Sequence, residues 1–148
     1  MPRILFVCHG NICRSTMAQF VMAELARRAG RADEFVVDSA ATSREEIGNP
    51  PHHGTVAKLR EKGVPVGSHH ARQVRRDEYG DWDHIVYMDA ENAWGLSRIL
   101  RGDPDGKVSR LLDWTGRPGD VADPWYTGDF EATWRDVLAG CEALLAAL

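Results

Sequence analysis

Long apolar runs are missing from this chain of 148 residues: nothing approaches the ~20 consecutive apolar residues of a membrane span, so no transmembrane helix and no membrane partner is expected. The first apolar run, residues 4–7, is far shorter than the hydrophobic region of a secretory signal, and no cleavage site follows it. The expected location is the cytoplasm, although a leaderless export route leaves no mark on a sequence. Positive charge is not in excess either. A net charge of −4 argues against a general nucleic-acid binder, whose phosphate contacts rest on Lys and Arg, while leaving room for a local basic patch. Cysteine is scarce. Three residues, an odd number with Cys8 and Cys13 close together, do not form a disulfide framework and read as thiols of a reducing compartment. There is no G-x-x-x-x-G-K-[ST] loop, no internal repeat and no low-complexity tract. The length suits one domain over residues 1–148, large enough for a substantial core.

What is present is an alternation of strands and helices. Residues 4–7 (Ile-Leu-Phe-Val) read as a short buried strand and residues 15–30 as a helix with apolar residues at helical spacing. Residues 34–40 have the β-branched content of a second strand, followed by a polar loop over 42–54. A second helix is expected over 55–62, ended by Gly63. A third strand over 82–88 and a third helix over 91–100 follow, then a weaker strand over 107–112. The last helix runs from Asp129 or Phe130 to the end, with Trp134, Val137, Leu138, Cys141, Leu144 and Leu145 on one stripe. This order predicts an α/β fold: one doubly wound domain, a central four-stranded parallel sheet flanked by helices on both faces. Ligands of such sheets bind beyond the carboxyl ends of the strands, where the loop after Val7 lies.

That loop has the form C-x-x-x-x-x-R-S, from Cys8 to Arg14 and Ser15. Between a strand and a helix start it resembles the plan of an anion cradle, because the N–H groups of the loop and of the first helical turn have no internal partners. Only the thiolate of a cysteine is a good nucleophile, and N–H donors, a helix N-terminus and a guanidinium all favour the anion at Cys8. The planar fork of Arg14 suits two oxygens of a phosphoryl group. Attack of Cys8 on phosphorus gives a thiophosphate intermediate. The alternative for Cys8 is a small buried residue at a strand end.

The run Val7-Cys8-His9-Gly10-Asn11-Ile12-Cys13-Arg14-Ser15 resembles the signature of the low-molecular-weight protein tyrosine phosphatases, and Asp123-Pro124-Trp125-Tyr126 stands where their second signature belongs. The resemblance implies a doubly wound fold and hydrolysis of phosphotyrosine in proteins without a metal or other cofactor. It implies Cys8 as nucleophile, Arg14 as the phosphate-binding group and Asp123 as general acid, the alternative for Asp123 being a turn former, since Asp-Pro favours turn initiation. His9, Gly10, Asn11, Ile12 and Cys13 complete the phosphate loop. Ser15 is expected to donate to the Cys8 sulfur, or to cap the helix, or both. Asn11 is expected in a left-handed conformation that Asn tolerates, braced by Ser39 and His69, with His70 the alternative histidine. Trp125 and Tyr126 should wall the cleft, unless Trp125 packs on the core. Ile12 favours phosphotyrosine, because related protein-arginine phosphatases usually carry Thr there. The opposite wall departs from the family: many members place an aromatic near Glu45, and the 43–48 loop offers acids instead.

Cys13 is placed to form a reversible disulfide with Cys8 under oxidation, or simply to pack. Cys141 reads as core. Asp120 and Asp129 compete with Asp123 for the acid role, Asp129 also as a helix cap. His9, His52, His53 and His84 show no ligand spacing, so no metal site is expected. Two rivals remain. An arsenate reductase of the same fold needs two more cysteines between Met88 and Asp123, where this chain has none. A phosphopeptide-binding module needs neither nucleophile nor acid. The expected partners are a phosphotyrosine-containing protein and, in the site, phosphate or other oxyanions; the physiological substrate and the oligomeric state stay open.

Overall fold

The computed structural model describes residues 1–148. Its sheet holds four parallel strands in the order β2-β1-β3-β4: β1 (Arg3–Cys8), β2 (Val36–Ala41), β3 (His84–Tyr87) and β4 (Val108–Arg110). The helices are α1 (Arg14–Arg28), α2 (His53–Glu61), α3 (Ala90–Leu100), the short α4 (Pro124–Thr127) and α5 (Phe130–Ala147). Strand β1 is central because five of its six residues are buried, and alternate side chains point to opposite faces. Ile4, Phe6 and Cys8 join the larger core with α1, α2 and α5. Leu5 and Val7 join a second core with Trp82 and with Leu96 and Leu100 of α3. Burial on both faces of the sheet is what makes the fold doubly wound, and each wholly buried Ile, Leu or Phe contributes about 1.5–3 kcal/mol.

The strand order reverses beside β1: the chain passes to β2 on one side and later returns to pair β3 on the other. Cys8 therefore ends a strand at the switch point, and the register Val7 with Tyr87 brings the residues after β3 alongside the loop after β1. A third segment is strapped to the same end. Ala41 N–H donates to the Arg72 carbonyl (2.7 Å) and Val74 N–H to the Ala41 carbonyl (2.8 Å), which carries His69 toward the loop.

Several boundaries differ from the sequence reading for local reasons. Strand β3 is shorter than residues 82–88: Trp82 turns its Nε1 to the Glu78 carboxylate, and Met88 N–H donates to Asn92 Oδ1. Strand β4 spans three residues, because Lys107 N–H is taken by Asp103 Oδ1 and residues from Leu111 wind into a 3-10 turn (Leu111–Thr115). Strand β2 begins at Val36, since Glu34 belongs to a 3-10 turn (Ala32–Glu34). Helix α1 starts one residue early, at Arg14. Helix α4 was not foreseen: Asp123 caps it and Pro124 takes its first position, where a missing N–H costs nothing. Trp134, Val137, Cys141 and Leu144 of α5 are buried as the stripe implied, and Asp129 Oδ1 accepts the Ala132 N–H to cap that helix. No helix is long and apolar enough to cross a membrane.

Candidate active site

The loop after β1 curls around the Cys8 sulfur. Its turn requires a left-handed residue, and Asn11 supplies it at φ 59°. Asn11 N–H donates to Cys8 Sγ at 3.3 Å, and Ser15 Oγ lies 3.0 Å from the same sulfur. The backbone N–H groups of Gly10, Ile12, Cys13, Arg14 and Ser15 make no hydrogen bond within the protein. They form a ring of donors at the start of α1, whose positive end adds to it. The residue types allow this shape: short or small side chains at Gly10 and Asn11, and a helix that begins without a side-chain cap.

Asn11 fixes the loop from behind. Its Nδ2 donates to Ser15 Oγ (2.8 Å) and Ser39 Oγ (2.9 Å), and its Oδ1 accepts from His69 Nε2 (2.7 Å) and Arg72 N–H (3.3 Å). Because a backbone N–H only donates, the Arg72 contact sets the amide orientation, and His69 must carry its proton on Nε2. Burial pushes the His69 imidazole below its ordinary range, against the pull of Asp38, which keeps it neutral and fits that tautomer. Ser15 Oγ accepts from Asn11, so its own proton is free to go to the Cys8 sulfur. Ser39 Oγ in turn donates to Gln19 Oε1. Ser39 and His69, not His70, are thus the groups that meet Asn11, and Ser15 does not cap α1 with its side chain.

Arg14 is 2 % exposed. Its Nη1 donates to Asp89 Oδ2 (2.7 Å) and to the Val121 carbonyl (3.1 Å), which leaves Nη2 facing Asp123 Oδ2 at 3.4 Å. Burial alone lowers an arginine's pKa, but the facing charges of Cys8, Asp89 and Asp123 outweigh it and raise that of Arg14. Cys13 differs sharply: burial, with Cys8 and Asp123 near, pushes its thiol up to about 12. It is a packed thiol in a cradle built for anions. Cys8, Cys13 and Cys141 are all free, and Cys141 is wholly buried against α1.

The cradle opens into a cleft of about 320 Å³. On one side stand Asp123, Trp125 and Tyr126. Asp123 Oδ1 accepts the Trp125 N–H (3.1 Å), so one carboxylate both caps α4 and faces Arg14. Trp125 is 62 % and Tyr126 81 % exposed, so Trp125 does not pack on the core. Asp120 is outside the cleft, paired with Arg110 (3.0 Å). On the other side stand Glu45, Glu46 and Glu91, with His9 between two of them: Nε2 is 3.0 Å from Glu45 and Nδ1 3.8 Å from Glu91. Asp89 and Glu91 were missed from sequence. Asp89 has the ordinary signature of a helix cap, and it does accept the Asn92 N–H (2.9 Å), but its second oxygen anchors Arg14.

Residues 3–148 match the family described as low molecular weight phosphotyrosine protein phosphatase. The chain is 41 % identical over 150 residues to the low molecular weight protein-tyrosine-phosphatase YfkJ of Bacillus subtilis (strain 168), covering 100 % of this chain and 96 % of the relative. The crystal structure of YfkJ superimposes with a TM-score of 0.95, over 99 % of this chain and 94 % of that one, at 42 % identity. That of SP-PTP, a low molecular weight protein tyrosine phosphatase from Streptococcus pyogenes, gives a TM-score of 0.90 over 100 % of this chain and 93 % of that one, at 36 % identity.

Proposed function

The chain belongs to the low molecular weight phosphotyrosine protein phosphatase family and is a protein-tyrosine phosphatase; from that premise we propose that it works through a cysteinyl-phosphate intermediate, with Cys8 as nucleophile and Asp123 as general acid. The observation that carries the reading is the surround of the Cys8 sulfur. It takes the Asn11 N–H and faces Ser15 Oγ at the floor of a ring of unpaired N–H groups, with the Arg14 guanidinium alongside.

The phosphoryl oxygens of phosphotyrosine lie in the N–H ring and against Arg14 Nη2, whose other nitrogen is already held by Asp89 and Val121. Cys8 Sγ then attacks phosphorus in line, forming the S–P bond as the P–O bond to the phenol breaks. Protonated Asp123 gives its proton to the departing phenolate, a step that typically contributes ~10²–10⁴-fold. The same carboxylate takes a proton from water as the water oxygen attacks phosphorus and the S–P bond breaks. Phosphate leaves and Cys8 returns as thiolate, which the Ser15 hydroxyl stabilises as leaving group. No step is routed through a metal, and the neutral His69 with Asn11 and Ser39 only holds the loop in shape.

The rivals lose ground on particular residues. A reductase relay needs resolving thiols, and here Cys141 is wholly buried while Cys13 is held protonated. A mere binding module gives no reason for Asp123 to stand in the cleft beside Arg14. The test is hydrolysis of p-nitrophenyl phosphate and a phosphotyrosine peptide with EDTA present. Activity should persist in the wild type, vanish in Cys8→Ser and fall sharply in Asp123→Ala. A folded wild type with no turnover overturns the reading.

A further inference from the structure

His52 lies outside every role assigned above, yet it joins three parts of the site. Its backbone N–H donates to the Ile12 carbonyl (2.8 Å), on the floor of the cleft. Its Nδ1 accepts the Gly54 N–H (3.0 Å) and so caps α2. Its ring stacks on Phe130, the first residue of α5, at 5.4 Å and 19°, and meets Trp125 edge to face at 6.2 Å and 80°. The fit is close: a Cβ at Gly54 would overlap the Phe130 ring, so the first turn of α2 lies flat on that ring. His52 is the aromatic neighbour of the exposed Trp125, and the Trp125 N–H is bonded to Asp123.

We propose that His52 is a positioning residue for proton transfer: acting through Trp125, its ring holds the Asp123 segment against the cradle. The inference rests on the reading of Asp123 as general acid. The ring serves as the neutral imidazole. Since Nδ1 accepts from Gly54, the ring proton is on Nε2, and a second proton would have to displace the α2 cap. Burial and the stacked His53 lower the pKa of His52, Glu46 opposes them, and Trp125 and Phe130 bring no charge.

The test compares kcat/KM for two aryl phosphates, because a good leaving group departs without a proton and a poor one does not. His52→Asn keeps a cap acceptor and removes the ring, while His52→Phe keeps a ring and removes the acceptor. His52→Asn should lose about tenfold on phenyl phosphate and less than about twofold on 2,4-dinitrophenyl phosphate. His52→Phe should keep the wild-type ratio of the two substrates. In an Asp123→Ala background, His52→Asn should add less than about twofold on phenyl phosphate. Equal loss on both substrates, additivity with Asp123→Ala, or a His52→Phe that behaves like His52→Asn overturns the inference. If Asp123→Ala itself loses equally on both substrates, the acid assignment is overturned instead, and this inference falls with it.

Discussion

The floor of the cleft and its mouth are built on opposite plans. On the floor, Asn11, Ser15 and Ser39 are wholly buried, and each side chain is tied to at least two others. At the mouth, Glu45, Glu91, Trp125 and Tyr126 stand in water, held by surface pairs and a single ring contact. Buried polar groups are costly to leave unpaired, so the floor has essentially one arrangement, and its chemistry is fixed by it. The mouth carries no such constraint. The fold thus separates a tightly fixed phosphoryl-handling device from a surface free to choose what it admits.

The comparison breaks most violently at the sulfur. Cys8→Ser should cost on the order of 10⁴-fold or more in turnover with little change in thermal stability, measured by steady-state kinetics and calorimetry. A smaller blow falls one step away: Asp89→Asn weakens the anchor of Arg14 and should lower kcat/KM for p-nitrophenyl phosphate about 10–100-fold, although Asp89 meets no substrate. Asn11→Ala tests whether the floor has one arrangement. It removes the side-chain bonds and forces a left-handed Ala, and should cost about 2–4 kcal/mol by urea unfolding.

The pH dependence of stability sharpens the same point. His69 is neutral in the fold and its pKa is lowered, chiefly by burial, so the unfolded chain binds that proton more readily. Its contribution is complete above the unfolded value of about 6.5 and is lost as pH falls from there toward the lower folded value. His69→Gln should flatten unfolding free energy against pH in that window. The mouth should give the smallest effect. Glu45→Gln, Glu46→Gln and Glu91→Gln together should lower KM for the anionic p-nitrophenyl phosphate a few-fold at low salt, and the difference should vanish at high salt.

The same division decides how much was legible in the sequence. Strand β1, its loop and α1 were legible because a buried strand, a turn with Gly10 and Asn11 and an amphipathic helix each leave a local pattern. Cys8 and Arg14 followed from motif chemistry and family likeness, and Asp123, Ser39 and His69 from likeness alone; the structure brings all five to one end of the sheet. Asp89 was hidden because its local pattern is complete as a helix cap, while its contact with Arg14 arises from the parallel pairing of β1 and β3, far apart in the chain. The ends of β3 and β4 were overextended because side chains of Asn92 and Asp103 claim the backbone N–H groups there. Helix α4 hid behind Asp123-Pro124, which signals a turn as strongly as a helix start. The role of the His52 ring depends on Phe130 and Trp125 meeting it from other elements.

The most direct measurement of the central claim is to mix enzyme with excess p-nitrophenyl phosphate, quench in acid within one turnover and map the phosphoryl group by peptide mass spectrometry. The account predicts phosphate on Cys8 in the wild type, and none in Cys8→Ser. Full turnover with no phosphoryl group on Cys8 at any quench time, or the group on another residue, would contradict it.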